Sequence, residues 1–249
     1  WASLDTGNYW HARLAATREM STLSTAWLRG GPALLLPPRT TLALSVATDQ
    51  RKASYGTLDV SAGEEPASGS RSLRVSPLVN LRLSDKLQTS VGTTWESDTV
   101  GWQPVGHDGT EYRVARLRQQ TLSFTFRADL TLNPRLALQA YLQPFSSVGS
   151  YDGYQRLATP RDRDPGRRFV PLEPGAPVSP PDAAQRSLNG DLVLRWEYHP
   201  GSFLTVVWNH QRSTLSLDAR ATAENGLTRL FGDPPVNVLL VKVSRRFGG

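Results

Sequence analysis

The 249-residue sequence predicts an all-β fold, an antiparallel transmembrane β-barrel, from three observations. Segments of alternating polarity recur at about the length a tilted membrane strand needs, roughly 9 to 11 residues. Compact turn signals alternate with long polar stretches. The last segment, 237–247, puts Leu239, Val241, Val243 and Phe247 on one face, and Leu240, Lys242, Ser244 and Arg246 on the other. An apolar alternation that stops at a near-terminal aromatic is how an outer-membrane barrel strand ends.

Taken in order, the pattern predicts strands near 9–17, 22–29, 40–49, 53–61, 72–83, 87–96, 111–132, 136–145, 189–198, 203–212 and 237–247, about eleven in all. The sharpest alternation sets Leu122, Phe124, Phe126, Ala128, Leu130 and Leu132 against Thr121, Ser123, Thr125, Arg127, Asp129 and Thr131, a strict period of two. The apolar set is assigned to lipid. Leu87, Val91 and Trp95 repeat it, as do Leu192, Leu194, Trp196 and Tyr198, and Leu204, Val206 and Trp208. A soluble β-sandwich also alternates, but a run from Glu111 to Leu132 far exceeds the roughly 5 to 6 residues of a soluble strand.

Ser84-Asp85-Lys86, Asn133-Pro134-Arg135 and His199-Pro200-Gly201-Ser202 read as short periplasmic turns. The polar stretches 97–110, 146–189 and 213–235 read as long outside loops. An odd strand count departs from the even number with which bacterial barrels close. Residues 1–249 are therefore expected to be a single barrel segment, the C-terminal part of a larger barrel whose N-terminal part is missing. An opening at Trp1 with neither Met nor signal-peptide features fits that expectation.

Composition sets limits without revealing the class. Hydrophobic residues make up 39% and mean hydropathy is −0.37, because a barrel averages its two faces. No window approaches the roughly 18 apolar residues of a membrane helix. Cysteine is absent, which excludes disulfides and thiolate metal sites. The net charge of +6 suits anionic lipopolysaccharide or an anionic solute; dispersed along alternating strands, it does not suit nucleic acid.

Several stretches carry a family resemblance: Leu28-Arg29-Gly30-Gly31-Pro32, Asp49-Gln50-Arg51-Lys52, the run from Asn133 to Phe145 (NPRLALQAYLQPF), Arg195-Trp196-Glu197-Tyr198-His199-Pro200-Gly201-Ser202, Val207-Trp208 with Arg212, and Val241-Lys242-Val243-Ser244 before Arg246-Phe247. Together they resemble the C-terminal barrel domain of large Gram-negative outer-membrane proteins, a domain of unknown function. In many members it follows a family-nine-type carbohydrate-binding module. The resemblance implies a location in the outer membrane and assigns no reaction.

By parity Arg82, Arg127, Asp129, Arg195, Glu197 and Lys242 face inward as a lumenal charged belt, basic on balance. Trp95, Trp196, Tyr198, Trp208 and Phe247 sit near strand ends on the lipid face, as an interfacial girdle does. Trp102, inside the expected loop 97–110, stands apart as a candidate sugar-stacking platform. Arg116, Arg118 and Gln120 interrupt the apolar parity above Leu122, where the strand is expected to enter the headgroup zone. Arg161, Arg163, Arg167 and Arg168 with Asp162 and Asp164 read as a solvated charged loop, with a contact for lipopolysaccharide phosphates or a passing anion as the alternative, and Gly30-Gly31-Pro32 as a loop or bulge.

His11, His107, His199 and His210 lack ligand spacing, so no metal and no cofactor is expected. The best catalytic candidates, His107-Asp108 and His210 near Ser213, lack a visible nucleophile-base-orienter constellation, and no catalytic residue is assigned. The functional expectation is a pore, transport or surface scaffold, linked to saccharides through a missing N-terminal domain. The alternatives are a hydrolase on a barrel frame and an inert anchor. Expected partners are outer-membrane lipid, lipopolysaccharide and the barrel-assembly machinery.

Overall fold

The computed structural model describes residues 1–173, 182–217 and 222–247. Its strands are β1 (Ala2–Asp5), β2 (His11–Glu19), β3 (Thr22–Ser24), β4 (Leu34–Leu36), β5 (Arg39–Ala47), β6 (Ser54–Glu65), β7 (Ser70–Arg82), β8 (Leu87–Asp108), β9 (Glu111–Asn133), β10 (Leu136–Leu157), β11 (Phe169–Pro171), β12 (Ala183–His199), β13 (Ser202–Ser216) and β14 (Val236–Ser244), with one short helix, α1 (Ala223–Arg229). One twelve-stranded antiparallel sheet runs β1-β2-β5-β6-β7-β8-β9-β10-β12-β13-β14, and β11 pairs with the end of β10 beyond β12. Among the described residues β1 and β14 are the free edges.

The cross-strand register sorts every side chain onto one of two faces, because partners directly opposite share a face and neighbours along a strand do not. One row reads Leu14, Leu44, Val60, Val75, Trp95 and Leu122 across six strands. Another reads Leu87, Leu130, Leu138, Leu194, Val206 and Val241. These rows make a continuous apolar face, and Phe124, Phe126, Leu142, Trp196, Trp208 and Leu239 lie exposed on it. The opposite face is polar, cross-linked by Ser76 to Thr94 at 2.9 Å, Gln139 to Asp129 at 2.9 Å, Asn209 to Asp191 at 2.7 Å and Arg74 to Glu96 at 2.8 Å.

Each short turn is built as its residues dictate. The Ser84 hydroxyl accepts from the amides of Lys86 and Leu87, and the Asn133 side chain accepts from the Arg135 amide at 2.9 Å. Gly201 takes a positive φ of 74° that favours glycine, and its amide donates to Glu197 at 2.7 Å. At this end the β5–β6 connection holds Asp49 between two donors of Arg51, which pulls the Asp49 carboxyl down to about 2.

The opposite end departs from expectation in an instructive way. Residues 97–108 and 146–157 are not loops: β8 and β10 each run 22 residues and β9 runs 23. Polar composition does not break a strand outside hydrocarbon, where neither face has to be apolar, and Thr99, Val100 and Val105 favour extended backbone. Register shifts at Val100/Gln103 on β8 and Asp152/Gln155 on β10 bulge both neighbours of β9 near the same level. Residues 174–181 of the expected loop 146–189, residues 218–221 of the expected loop 213–235 and the terminal pair 248–249 lie outside the described residues.

The expected strand 22–29 does not join the sheet. Only β3 forms, pairing with β4 in a separate hairpin. Arg29 and Gly30 have positive φ values of 51° and 106°, which turn the chain so that Leu28 and Leu34 bury against Trp102, Val114 and Phe169. Gly31 permits this docking, since a Cβ there would lie 2.7 Å from the Tyr112 ring. Strand β1, unforeseen because it has four residues, takes the place in the count that 22–29 vacates. The last strand stops at Ser244, short of the expected 247.

Placing Arg at Phe126, between Val91 and Leu142 on the apolar face, should cost about 2 to 4 kcal/mol of stability in a bilayer. Arg at Thr125, on the polar face, should cost far less. Unfolding of both variants from lipid vesicles measures the difference, and equal losses would contradict the assignment of faces.

Candidate functional site

The polar face is where any solute would meet the most chemistry, and the register places all six expected belt residues on it. They form two groups. Arg82 and Asp129 each pair with Gln88, and Arg127 pairs with Ser90 and Tyr141. Arg82, Arg127 and Asp129 line a cleft of about 130 Å3 with Lys52 and Tyr55 near the short-turn end. The Arg127 guanidinium lies 5.0 Å from the Tyr141 ring centre, a cation-π geometry.

In the second group Arg195 and Lys242 flank Thr205 from opposite sides, and Arg195 lies 4.5 Å from the Phe203 ring centre. Glu197 is committed to the Gly201 amide in the turn. Asp59, Glu96, Asp98 and Asp191 share this face as well. With them included the face is of mixed sign rather than basic, because the belt read from sequence left out acids of the same parity, among them Asp191 on the strand of Arg195 itself.

At the long-connection end, Trp27 and Leu36 face Gly63, Ser72, Asp98 and Gln119 across a cleft of about 310 Å3. Arg39 donates to Ser72 at 3.1 Å within it. Burial, reinforced by Glu96, pushes the Asp98 carboxyl above its usual range, against the pull of Arg39. The segment between β2 and β5 thus leans over the polar face at this end.

Trp95, Trp196, Tyr198 and Trp208 lie on the apolar face. Trp196 and Tyr198 stack edge to face at 6.2 Å, and the Tyr198 hydroxyl donates to the Ser244 carbonyl at 3.1 Å. Trp208 donates to Asn237 at 3.1 Å. Phe247 falls beyond β14, where the Arg245 guanidinium covers its ring at 5.2 Å, so no strand register assigns it a face. Trp102 is not a stacking platform: it is 8% exposed, 4.9 Å from Phe169, with Arg168 5.8 Å from its ring centre. Arg168 is likewise buried, donating to the Asp162 carbonyl at 2.8 Å, rather than part of a solvated patch.

The catalytic candidates are not brought together. His210 bonds Asn237 at 2.8 Å on the apolar face while Ser213 points to the other, and His107 rests 5.3 Å from the Tyr112 ring. Among the described residues no cluster of three His, Asp or Glu side chains is placed to hold a metal, and no helix is long and apolar enough to cross a membrane.

What sequence reasoning missed is the tether above the apolar rows. Residues 222–233 pack there, with Gly226 against Ser146 and Arg186 gripping Asp233 through two 2.6 Å bonds. Arg212 adds a bond to the Asp233 carbonyl at 2.7 Å. An Arg at 186 among apolar alternation was the available signal.

An antiparallel sheet apolar on one face and polar on the other, with tight turns at one end and strand extensions at the other, is the fold of an outer-membrane-type β-barrel protein. A family model described as "Domain of unknown function (DUF5916)" matches residues 28–245, and the chain belongs to that family. Among solved structures a similar one is "Copper transporter OprC", with a TM-score of 0.50 at 9% identity over 94% of this chain. The chain spans 37% of the length of that transporter, and the likeness shows the fold. No curated protein matches the sequence.

The grip of Arg186 holds the Asp233 carboxyl below the usual carboxylate range. Since the folded value lies below the unfolded one, the tether is at full strength above the ordinary carboxylate range and is lost as pH falls through the lowered value. Limited proteolysis of 217–235 should therefore accelerate on acidification. Arg186→Leu should be cleaved rapidly at neutral pH already.

Proposed function

We propose that this chain is part of the wall of a Gram-negative outer-membrane β-barrel whose polar face lines a passage for polar solutes. The observation that supports this most is the register: apolar residues fill one face row after row, while hydrogen-bonded hydroxyls, amides and charges fill the other. In water an exposed face of that kind is a liability; in a bilayer it is the required surface. Passage of a solute accords with the transporter whose fold is similar, and the copper of that protein is not carried over to this chain.

The mixed sign of the polar face favours neutral, hydroxyl-rich or zwitterionic solutes over strong ion selectivity. Saccharides delivered by a carbohydrate-binding domain elsewhere in the full protein fit this chemistry. Trp27 and Leu36, leaning over the polar face at the long-connection end, make that segment the element that narrows the passage.

Full-length protein reconstituted in planar bilayers is expected to conduct with weak charge preference. Arg127→Gln with Arg195→Gln should shift the preference toward cations. Deleting 22–36 should raise the conductance. Absence of conductance from both the intact protein and the deletion would count against a passage and leave the barrel as an anchor.

A further inference from the structure

Directly above the apolar rows the same face changes chemistry along one line of the ladder. Register places Arg18, Thr40, Glu64, Arg71, Thr99, Arg118 and Ser150 side by side across seven strands. Two rows below them lie Leu14, Leu44, Val60, Val75, Trp95 and Leu122. An apolar surface that gives way over four residues to guanidinium and hydroxyl groups, with Glu64 the one carboxylate in the row, matches an amphiphile with an anionic head.

The row is best developed on β9. Arg118 lies 2.8 Å and Arg116 3.6 Å from the one carboxylate of Asp152, and both guanidinium groups remain about half exposed. Two cations share one anion, so positive charge is left over at the surface. Beside them is a cleft of about 330 Å3, lined by Arg118, Gln120, Ser97, Thr99 and Ser150, with Asp98 also at its wall, and closed on one side by Thr222, which precedes α1. The cleft floor continues into Leu122 and Trp95.

We propose that this cleft is a docking site for the phosphorylated sugar headgroup of an outer-leaflet glycolipid, resting on the membrane reading above. Arg116 and Arg118 receive the phosphate through charge-assisted hydrogen bonds, while Gln120, Ser97, Thr99 and Ser150 meet sugar hydroxyls. The acyl chains run down the apolar rows beginning at Leu122. Asp152 is then a competitor for the phosphate as well as a positioner of the two arginines.

The test titrates the full chain in neutral detergent with bisphosphorylated lipid A, with the same lipid dephosphorylated, and with inorganic pyrophosphate, reading affinities by native mass spectrometry. Removing the phosphates should weaken binding about tenfold or more, as should Arg116→Gln with Arg118→Gln. Asp152→Asn should tighten it. Arg135→Gln, which removes one positive charge at the opposite end, should change nothing. Unchanged affinity in the double variant overturns the site, and pyrophosphate binding as tightly as the lipid overturns its assignment to a headgroup. Alkaline extraction of membranes separates the two readings: release of intact protein defeats both, whereas a double variant that stays embedded and binds normally defeats the docking site alone.

Discussion

Register is the constraint from which the rest of this structure follows. Side chains alternate with a period of two, so slipping any strand by one residue against its neighbour would send its leucines to the polar face and its charges to the apolar one. The ladder from β8 through β13 holds its pairing over long runs, with Pro144 of β10 opposite Leu188 of β12 and Arg195 opposite Thr205. Below the cluster around Trp102 the register is held by backbone pairing, tight turns and polar cross-links such as Asp191 with Asn209. The Ser84, Asn133 and Gly201 turns matter because they set which residue meets which.

That also explains what the sequence made legible. Where hydrocarbon demands one apolar face, the alternation from Leu122 to Leu132 names a strand and its sides without a coordinate. Above that zone the demand disappears, and residues 97–108 look like a loop although they pair with β9, interrupted by two register shifts. The strand expected at 22–29 failed for the converse reason. Its apolar Leu28 answers to a local cluster beside Trp102, and Trp27 lines the cleft over the polar face, so neither serves a sheet face of its own strand.

The site was legible in the same measure. Parity on single strands placed Arg82, Arg127, Asp129, Arg195, Glu197 and Lys242 on one face, but a sign for that face requires knowing which acids on neighbouring strands join them. Asp191 shares the parity of Arg195 and Glu197 on its own strand and was overlooked there, whereas Asp59 joins the face through pairing across strands. The buried state of Arg168 was hidden similarly, since its partners are carbonyls five and six residues back and a tryptophan on another strand.

The length of β9 has a geometric consequence of its own. From Gln120 back to Glu111 the strand continues past the last apolar row, and at roughly 3.3 Å per residue with a tilt of about 40° it climbs on the order of 25 Å. With β8 and β10 alongside, the wall becomes a parapet raised above the bilayer and braced by the cluster around Trp102 and Phe169. On the reading proposed above, a solute arriving from outside would meet the rim well before it reached the lipid, so a saccharide layer at the cell surface would be bypassed by architecture and not by affinity.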